Sequence, residues 1–307
     1  MSQDPQIVDQ VECVVHNRYE LGEGTLYSST NKRYYHVDIY GRPNRFPAFY
    51  EHDLVTNSVR EYQVPSFVGT VAICEGGKSV VAALRDGPVI IDLSTGDVIK
   101  KLPVPATHTP VLRFNDGKAG PDRRFYAGTM GYPMIPKTGF FYVFDHDGSS
   151  RVLLENISIS NGLCWTSDNK QMYYIDTPDD CVYVFDFDID LGSISNQRVA
   201  FKIPEGTGHP DGMTIDADGN LWVAQWGGSR VVCYSPTGQI LRIIMLPTTN
   251  VSDVAFGGEN LDEIYITTAQ EHMTETERLQ QPLAGNVFVV RNLGVRGVKD
   301  FEYRCTF

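Results

Sequence analysis

A polar residue returns at one place in a repeating unit of this chain, as Glu23, Asn115, Asn161 and Asp211. Cutting the sequence before each short apolar run aligns six pieces, which open Glu23-Gly-Thr-Leu, Gly69-Thr-Val-Ala, Asn115-Asp-Gly-Lys, Asn161-Gly-Leu-Cys, Asp211-Gly-Met-Thr and Ser252-Asp-Val-Ala. A turn follows each opening, and about eleven to thirteen residues on comes an aromatic or β-branched run, as in Arg33-Tyr-Tyr-His-Val, Met172-Tyr-Tyr-Ile-Asp and Leu221-Trp-Val-Ala. Successive units start 46, 46, 46, 50 and 41 residues apart, which is the length of one four-stranded propeller blade. The spacing predicts an all-β, six-bladed β-propeller with four-stranded antiparallel blades, filling residues 1–307 as one domain.

Composition agrees. Sixteen Tyr, fifteen Phe and many Val and Ile favour strands, and no Pro-, Gly- or Ser-rich linker interrupts the repeat. Only the stretch around Thr274-Glu-Thr-Glu-Arg-Leu reads as a helical turn or mobile loop. A net charge of −12 disfavours nucleic acid and anionic membranes, whose phosphates need clustered Lys and Arg, and would favour a cation. No apolar run approaches the length of a membrane span and the polar start Met1-Ser-Gln-Asp-Pro is no signal peptide, so a cytoplasmic monomer or weak oligomer is expected. Six cysteines without a Cys-x-x-Cys pair, mostly in apolar strand-like contexts, read as reduced core residues.

In a propeller blade the first strand lies nearest the axis, so its starting residues from all blades converge at one mouth of the channel. That topology brings Glu23, Asn115, Asn161 and Asp211 together. Two carboxylates so placed repel unless protons or a cation intervene. Oxygen donors alone suit a hard ion, Ca²⁺ first and Mg²⁺ next, with Zn²⁺ or Mn²⁺ able to compete. Singly, Asn161-Gly and Asp211-Gly would read equally well as turn residues; four coincident positions favour one divalent metal in the channel.

The second strand of each blade returns to the same mouth. Its following loops, residues 38–47, 130–138, 177–180 and 225–229, are therefore the expected walls and the place of substrate choice. Arg113 could hold a hydroxyl, carboxylate or developing oxyanion, or form a salt bridge between blades. His209 could carry a proton or be merely structural. Tyr132 and Trp226 could line an apolar wall or pack within blades. The chain has no Gly-x-Ser-x-Gly elbow, phosphate loop, dinucleotide glycine fingerprint or His-Glu-x-x-His, which leaves metal-assisted chemistry as the main enzymatic option.

An ordered string of motifs resembles a known family. Arg113-Phe-Asn-Asp-Gly-Lys118, Phe125-Tyr-Ala-Gly-Thr-Met130, Ile159-Ser-Asn-Gly-Leu163, Pro210-Asp-Gly-Met213, Leu221-Trp-Val-Ala224 and Asn292-Leu-Gly-Val-Arg-Gly297 are similar to regucalcin (senescence marker protein), gluconolactonase and luciferin-regenerating enzyme. The resemblance covers nearly the whole chain and is most specific from Arg113 onward. It implies a six-bladed propeller holding one divalent metal on Glu23, Asn161 and Asp211, with Asp211 also the base. It gives Arg113 and Asn115 to substrate, which moves Asn115 from metal ligand to substrate or metal-water contact.

Two departures bear on the substrate. The family's acidic residues after Ala-Gly-Thr-Met are replaced here by Gly131-Tyr132-Pro133-Met134, and the loop Tyr40-Gly-Arg-Pro-Asn-Arg-Phe-Pro47 is longer than usual. The expectation is a metal-dependent lactonase acting on a small-molecule lactone or ester less sugar-like than the family norm. Two alternatives stand beside it, a phosphotriesterase-like hydrolase and a calcium-binding regulatory propeller without turnover.

Overall fold

A computed structural model describes residues 4–42 and 45–307. Six antiparallel sheets form a ring, and each repeat unit supplies the strand nearest the axis. These inner strands are Gly22–Ser28, Val68–Ile73, Leu112–Ala119, Ser160–Trp165, His209–Ile215 and Val251–Gly257, in blades 1 to 6. All but a few of their residues are buried, because each is covered by both neighbouring blades and by the axis. Outer strands such as Val98–Lys101 are exposed along their length. The predicted six-bladed propeller is the observed fold.

Closure of the ring was not legible in the repeat. Glu12–Val15 runs antiparallel to Val287–Val290 and becomes the outer strand of blade 6, so the start of the chain completes the blade built by its end. Blade 5 departs from four strands, because Gln6–Val8 adds in parallel to Ile240–Met245. The expected helical turn is a short helix, Glu275–Gln280, started by a capping box in which Thr274 and Glu277 satisfy each other's backbone N–H. No helix among the described residues is long and apolar enough to cross a membrane. All six cysteines are free thiols, four of them buried.

One irregularity recurs in every blade. The pairing of inner with second strand slips between Glu23 and Leu26, Val68 and Val71, Phe114 and Gly117, Ser160 and Leu163, Pro210 and Met213, and Val251 and Asp253. A β-bulge turns a strand and re-aims its side chains. Here six bulges fall on the repeated position, from which Asn115 and Ser252 bond to the neighbouring blade.

After Val290 the chain crosses the far face. Arg296 O accepts from Ala217 N at 2.8 Å, Gly297 N donates to Leu261 O at 2.8 Å, Tyr303 N to Ile73 O at 2.8 Å and Arg304 N to Arg123 O at 2.9 Å. This tail ties blades 5, 6, 2 and 3 at the end opposite the bulges.

Candidate metal centre and substrate mouth

The bulges bring polar groups together between blades. Asn115 Nδ2 donates to Asn161 Oδ1 at 2.8 Å and to Ser160 O at 2.8 Å, joining blades 3 and 4. Asn161 Nδ2 donates to Thr177 Oγ1 at 2.7 Å, and that hydroxyl donates to Pro210 O at 2.8 Å, reaching blade 5. Thr25 N donates to Asp253 Oδ2 at 2.7 Å across the closure between blades 1 and 6. Each buried bond of this kind contributes about 0.5–1.5 kcal/mol net, and a partner left unpaired would cost more.

Close approach of inner strands makes this possible. A Cβ on Gly212 would stand 1.9 Å from Asp253 Oδ1, and one on Gly162 would stand 2.6 Å from Met213 N, so the residues after Asp211 and Asn161 have to be glycine.

Glu23 and Asp211 are both 5% exposed, and Asn161 is 3% exposed. Burial pushes the Glu23 carboxyl well above its ordinary range, and the charges of Asp211, Asp253 and Asp116 push it further. Burial likewise raises Asp211, reinforced by Asp253, Asp116 and Glu271 and opposed by Arg113. Glu23 Oε2 accepts only from the adjacent Gly24 N, at 3.1 Å. These two acids lie against each other with too little positive charge from the protein to hold both ionised.

A divalent cation fits that arrangement. The candidate donors, two carboxylates and an amide oxygen, are of the hard kind that Ca²⁺ or Mg²⁺ takes, and the Asn161 amide is held by its bond to Thr177. Among the described residues no three His, Cys, Asp or Glu side chains meet as a ligand group, and the Asn161 amide oxygen is the third candidate donor. Asn115 Oδ1 accepts from Arg113 Nη1 at 2.5 Å, and its nitrogen donates to Asn161 Oδ1. Asn115 links Arg113 to the amide of Asn161.

Arg113 is 3% exposed. Its Nη1 also donates to Phe114 O at 3.1 Å, its Nε has no hydrogen-bond partner among the described residues, and its guanidinium lies 5.3 Å from the Tyr40 ring centroid. Tyr40, Phe67 and Tyr132 form an aromatic group, with centroids 5.1 Å (Tyr40–Phe67), 4.8 Å (Phe67–Tyr132) and 5.6 Å (Tyr40–Tyr132) apart. Arg85 stands 5.5 Å over Phe67 and 5.8 Å over Tyr132. Tyr132 is thus part of a wall shared by blades 1, 2 and 3. Trp226, partly buried, packs on the same apolar cluster as Tyr40 and Phe67. Positions 43 and 44 of the long first loop lie outside the described residues.

His209 belongs to none of this. Its Nδ1 pairs with Asp180 Oδ1 at 2.7 Å, with both side chains about half exposed at the rim.

Several residues of the site escaped the repeat. Asp116 and Asp253 sit one place past the repeated position, in Asn115-Asp116 and Ser252-Asp253, and that offset was a usable signal. Tyr40 and Phe67 carried no signal, because aromatic residues are common throughout the strands.

A ring of six blades with a buried acidic and amide cluster at one mouth defines a propeller with an axial polar centre. The chain belongs to the family described as the SMP-30/Gluconolactonase/LRE-like region, which it matches over residues 21–270. It is 34% identical to regucalcin of Danio rerio over 303 residues, 96% of this chain and 98% of the other. It is 37% identical over 272 residues to the Bacillus subtilis (strain 168) protein named "Putative sugar lactone lactonase YvrE", covering 88% and 91% of the two chains. Among solved structures, a luciferin-regenerating enzyme superposes with a TM-score of 0.87 at 31% identity, covering 96% of this chain and 99% of that one. A calcium-binding protein, regucalcin from Agrobacterium tumefaciens, superposes with a TM-score of 0.90 at 23% identity, covering 98% and 100%, a likeness of fold.

Proposed function

We propose that this chain is a divalent-metal-dependent lactonase, with Glu23, Asn161 and Asp211 as the protein ligands and Ca²⁺ as the first candidate ion. The observation that carries the proposal is the buried pair Glu23 and Asp211, in which the charge of Asp211 adds to the cost of ionising Glu23, beside an oriented amide. Membership of a family with relatives named as a lactonase and as calcium-binding supports it. When bound, the cation supplies Lewis-acid polarisation of a carbonyl and positive charge for the oxygen that becomes anionic.

The protein's own groups do the rest. Asp211 accepts the proton of the attacking water on a carboxylate oxygen as the water oxygen bonds to the lactone carbon. The ring C–O bond then breaks, and the leaving alkoxide takes up the proton. Arg113, held by Asn115, orients the ring substituents. Tyr40, Phe67 and Tyr132 present apolar faces where the family's acidic residues would bind sugar hydroxyls, which favours an aromatic or alkyl lactone.

The test is hydrolysis of a panel of sugar, alkyl and aryl lactones by metal-stripped protein, before and after addition of Ca²⁺, Mg²⁺, Mn²⁺ or Zn²⁺. Turnover is expected to return with metal and to be faster on the apolar lactones. A folded, metal-loaded protein that opens no lactone would overturn the proposal; turnover of a phosphotriester in the same assay would replace it with the other hydrolytic reaction.

A further inference from the structure

Below the mouth set, the channel holds a second group of charges. Lys118 leaves the inner strand of blade 3, and its Nζ donates to Met213 O of blade 5 at 2.7 Å, so the ammonium spans the channel. Asp253, Asp116 and Asp300 are the charges that favour its protonated form, and they raise the Lys118 pKa in spite of burial. Lys118, Asp116, Asp253 and Asp300 line one small cavity, three acids to one ammonium.

Each acid is held from a different part of the fold. Asp116 Oδ1 accepts from Gly117 N at 2.6 Å, while its Oδ2 is buried with no partner. Asp253 accepts from Thr25 N and Val254 N, both at 2.7 Å. Asp300 arrives on the tail that crosses the far face and lines the same cavity. The space between them, also bounded by Thr25, Thr70 and Phe301, is about 10 Å³, enough for about one water molecule.

We propose that Lys118 is a resident cation on the channel axis, a positioning residue whose ammonium fills the place a second divalent ion would otherwise take and so confines metal to the mouth. The inference rests on the metal reading of Glu23, Asn161 and Asp211. Its physical basis is independent of that reading. Carboxylates from blade 3, blade 6 and the tail would converge on a single buried volume, a hard-cation site in charge and in oxygen donors, were the ammonium not already there. With the lysine in place, a second ion would meet both a like charge and too little room for its ligands.

Calorimetric titration of Ca²⁺ into metal-stripped protein tests it, with Lys118→Met and Lys118→Met/Asp300→Asn beside the wild type. One ion per chain is expected for the wild type, two for Lys118→Met, and one again for the double variant, which lacks one of the three carboxylates that would hold the second ion. A folded Lys118→Met that still takes one ion overturns the inference while leaving the mouth reading intact. A wild type that takes none overturns the mouth reading and this inference with it. If Lys118→Met does not fold without metal, thermal unfolding in excess Ca²⁺ gives the answer: recovery of a folded transition supports the inference, and failure of Ca²⁺ to rescue it counts against it.

Discussion

Asp211 carries two demands that conflict in the absence of metal. It is buried against Glu23 and near Asp253 and Asp116, yet the proposed reaction needs it ionised. Asp211→Asn should therefore lower lactone turnover by about 10²–10⁴-fold, the range for loss of a general base. The same change removes one like charge from the cluster, so the metal-free variant should melt no lower than the wild type when both are scanned by circular dichroism. An active Asp211→Asn variant would exclude this residue as base. Arg113 makes a separable contribution. Its guanidinium bonds Asn115 and leaves Nε free, so Arg113→Met should reduce kcat/KM by about 10–100-fold, as expected for one or more charged hydrogen bonds. Calcium affinity measured in the same variant should change little, because Arg113 is not a ligand.

The bulge is the element on which the site is built, and its cost falls on glycine. Gly212 follows Asp211 where blade 5 meets blade 6, and a Cβ there would stand only 1.9 Å from Asp253 Oδ1. Gly212→Ala should destabilise the fold by about 1–3 kcal/mol through overpacking, read as a lower midpoint in urea with an unchanged slope. Metal affinity should fall with it, since relief of the clash moves Asp211 or Asp253. The repeat made this element legible as a position, through the recurrence of polar residue and glycine in Asn161-Gly162 and Asp211-Gly212. It did not show that the position is a bulge. A bulge is a mismatch between two strands, and neither strand alone contains it.

Across the whole molecule, the acids of the channel should couple stability to pH and to metal. Burial, together with the neighbouring Asp253, lifts Asp116 to about 7; burial lifts Asp300 to about 6. Both values lie above those of the unfolded chain. Their contribution is thus fully present below the ordinary carboxylate range and is lost as pH rises through about 6 and about 7. In EDTA the protein should melt several degrees lower at pH 8 than at pH 5. Lys118, whose pKa is raised, keeps its stabilising charge across that window. Saturating Ca²⁺ should reverse the loss, adding about 2.7 kcal/mol at a hundredfold excess over Kd. A metal-free protein equally stable at both pH values would contradict this account of the channel.

The sequence by itself determined the number of blades, the strand nearest the axis and the recurring polar position, because each depends on local periodicity that repeats about every 46 residues. Tertiary structure alone decided what those side chains do. Closure by Glu12–Val15, the engagement of Asn115 by Arg113, the pairing of His209 with Asp180 at the rim, and the meeting of Lys118 with Asp300 join residues far apart in the chain. The physical reason is that hydrogen-bond partners and the electrostatic cost of burial are set by neighbours in space, and a ring of blades chooses those neighbours only when it closes.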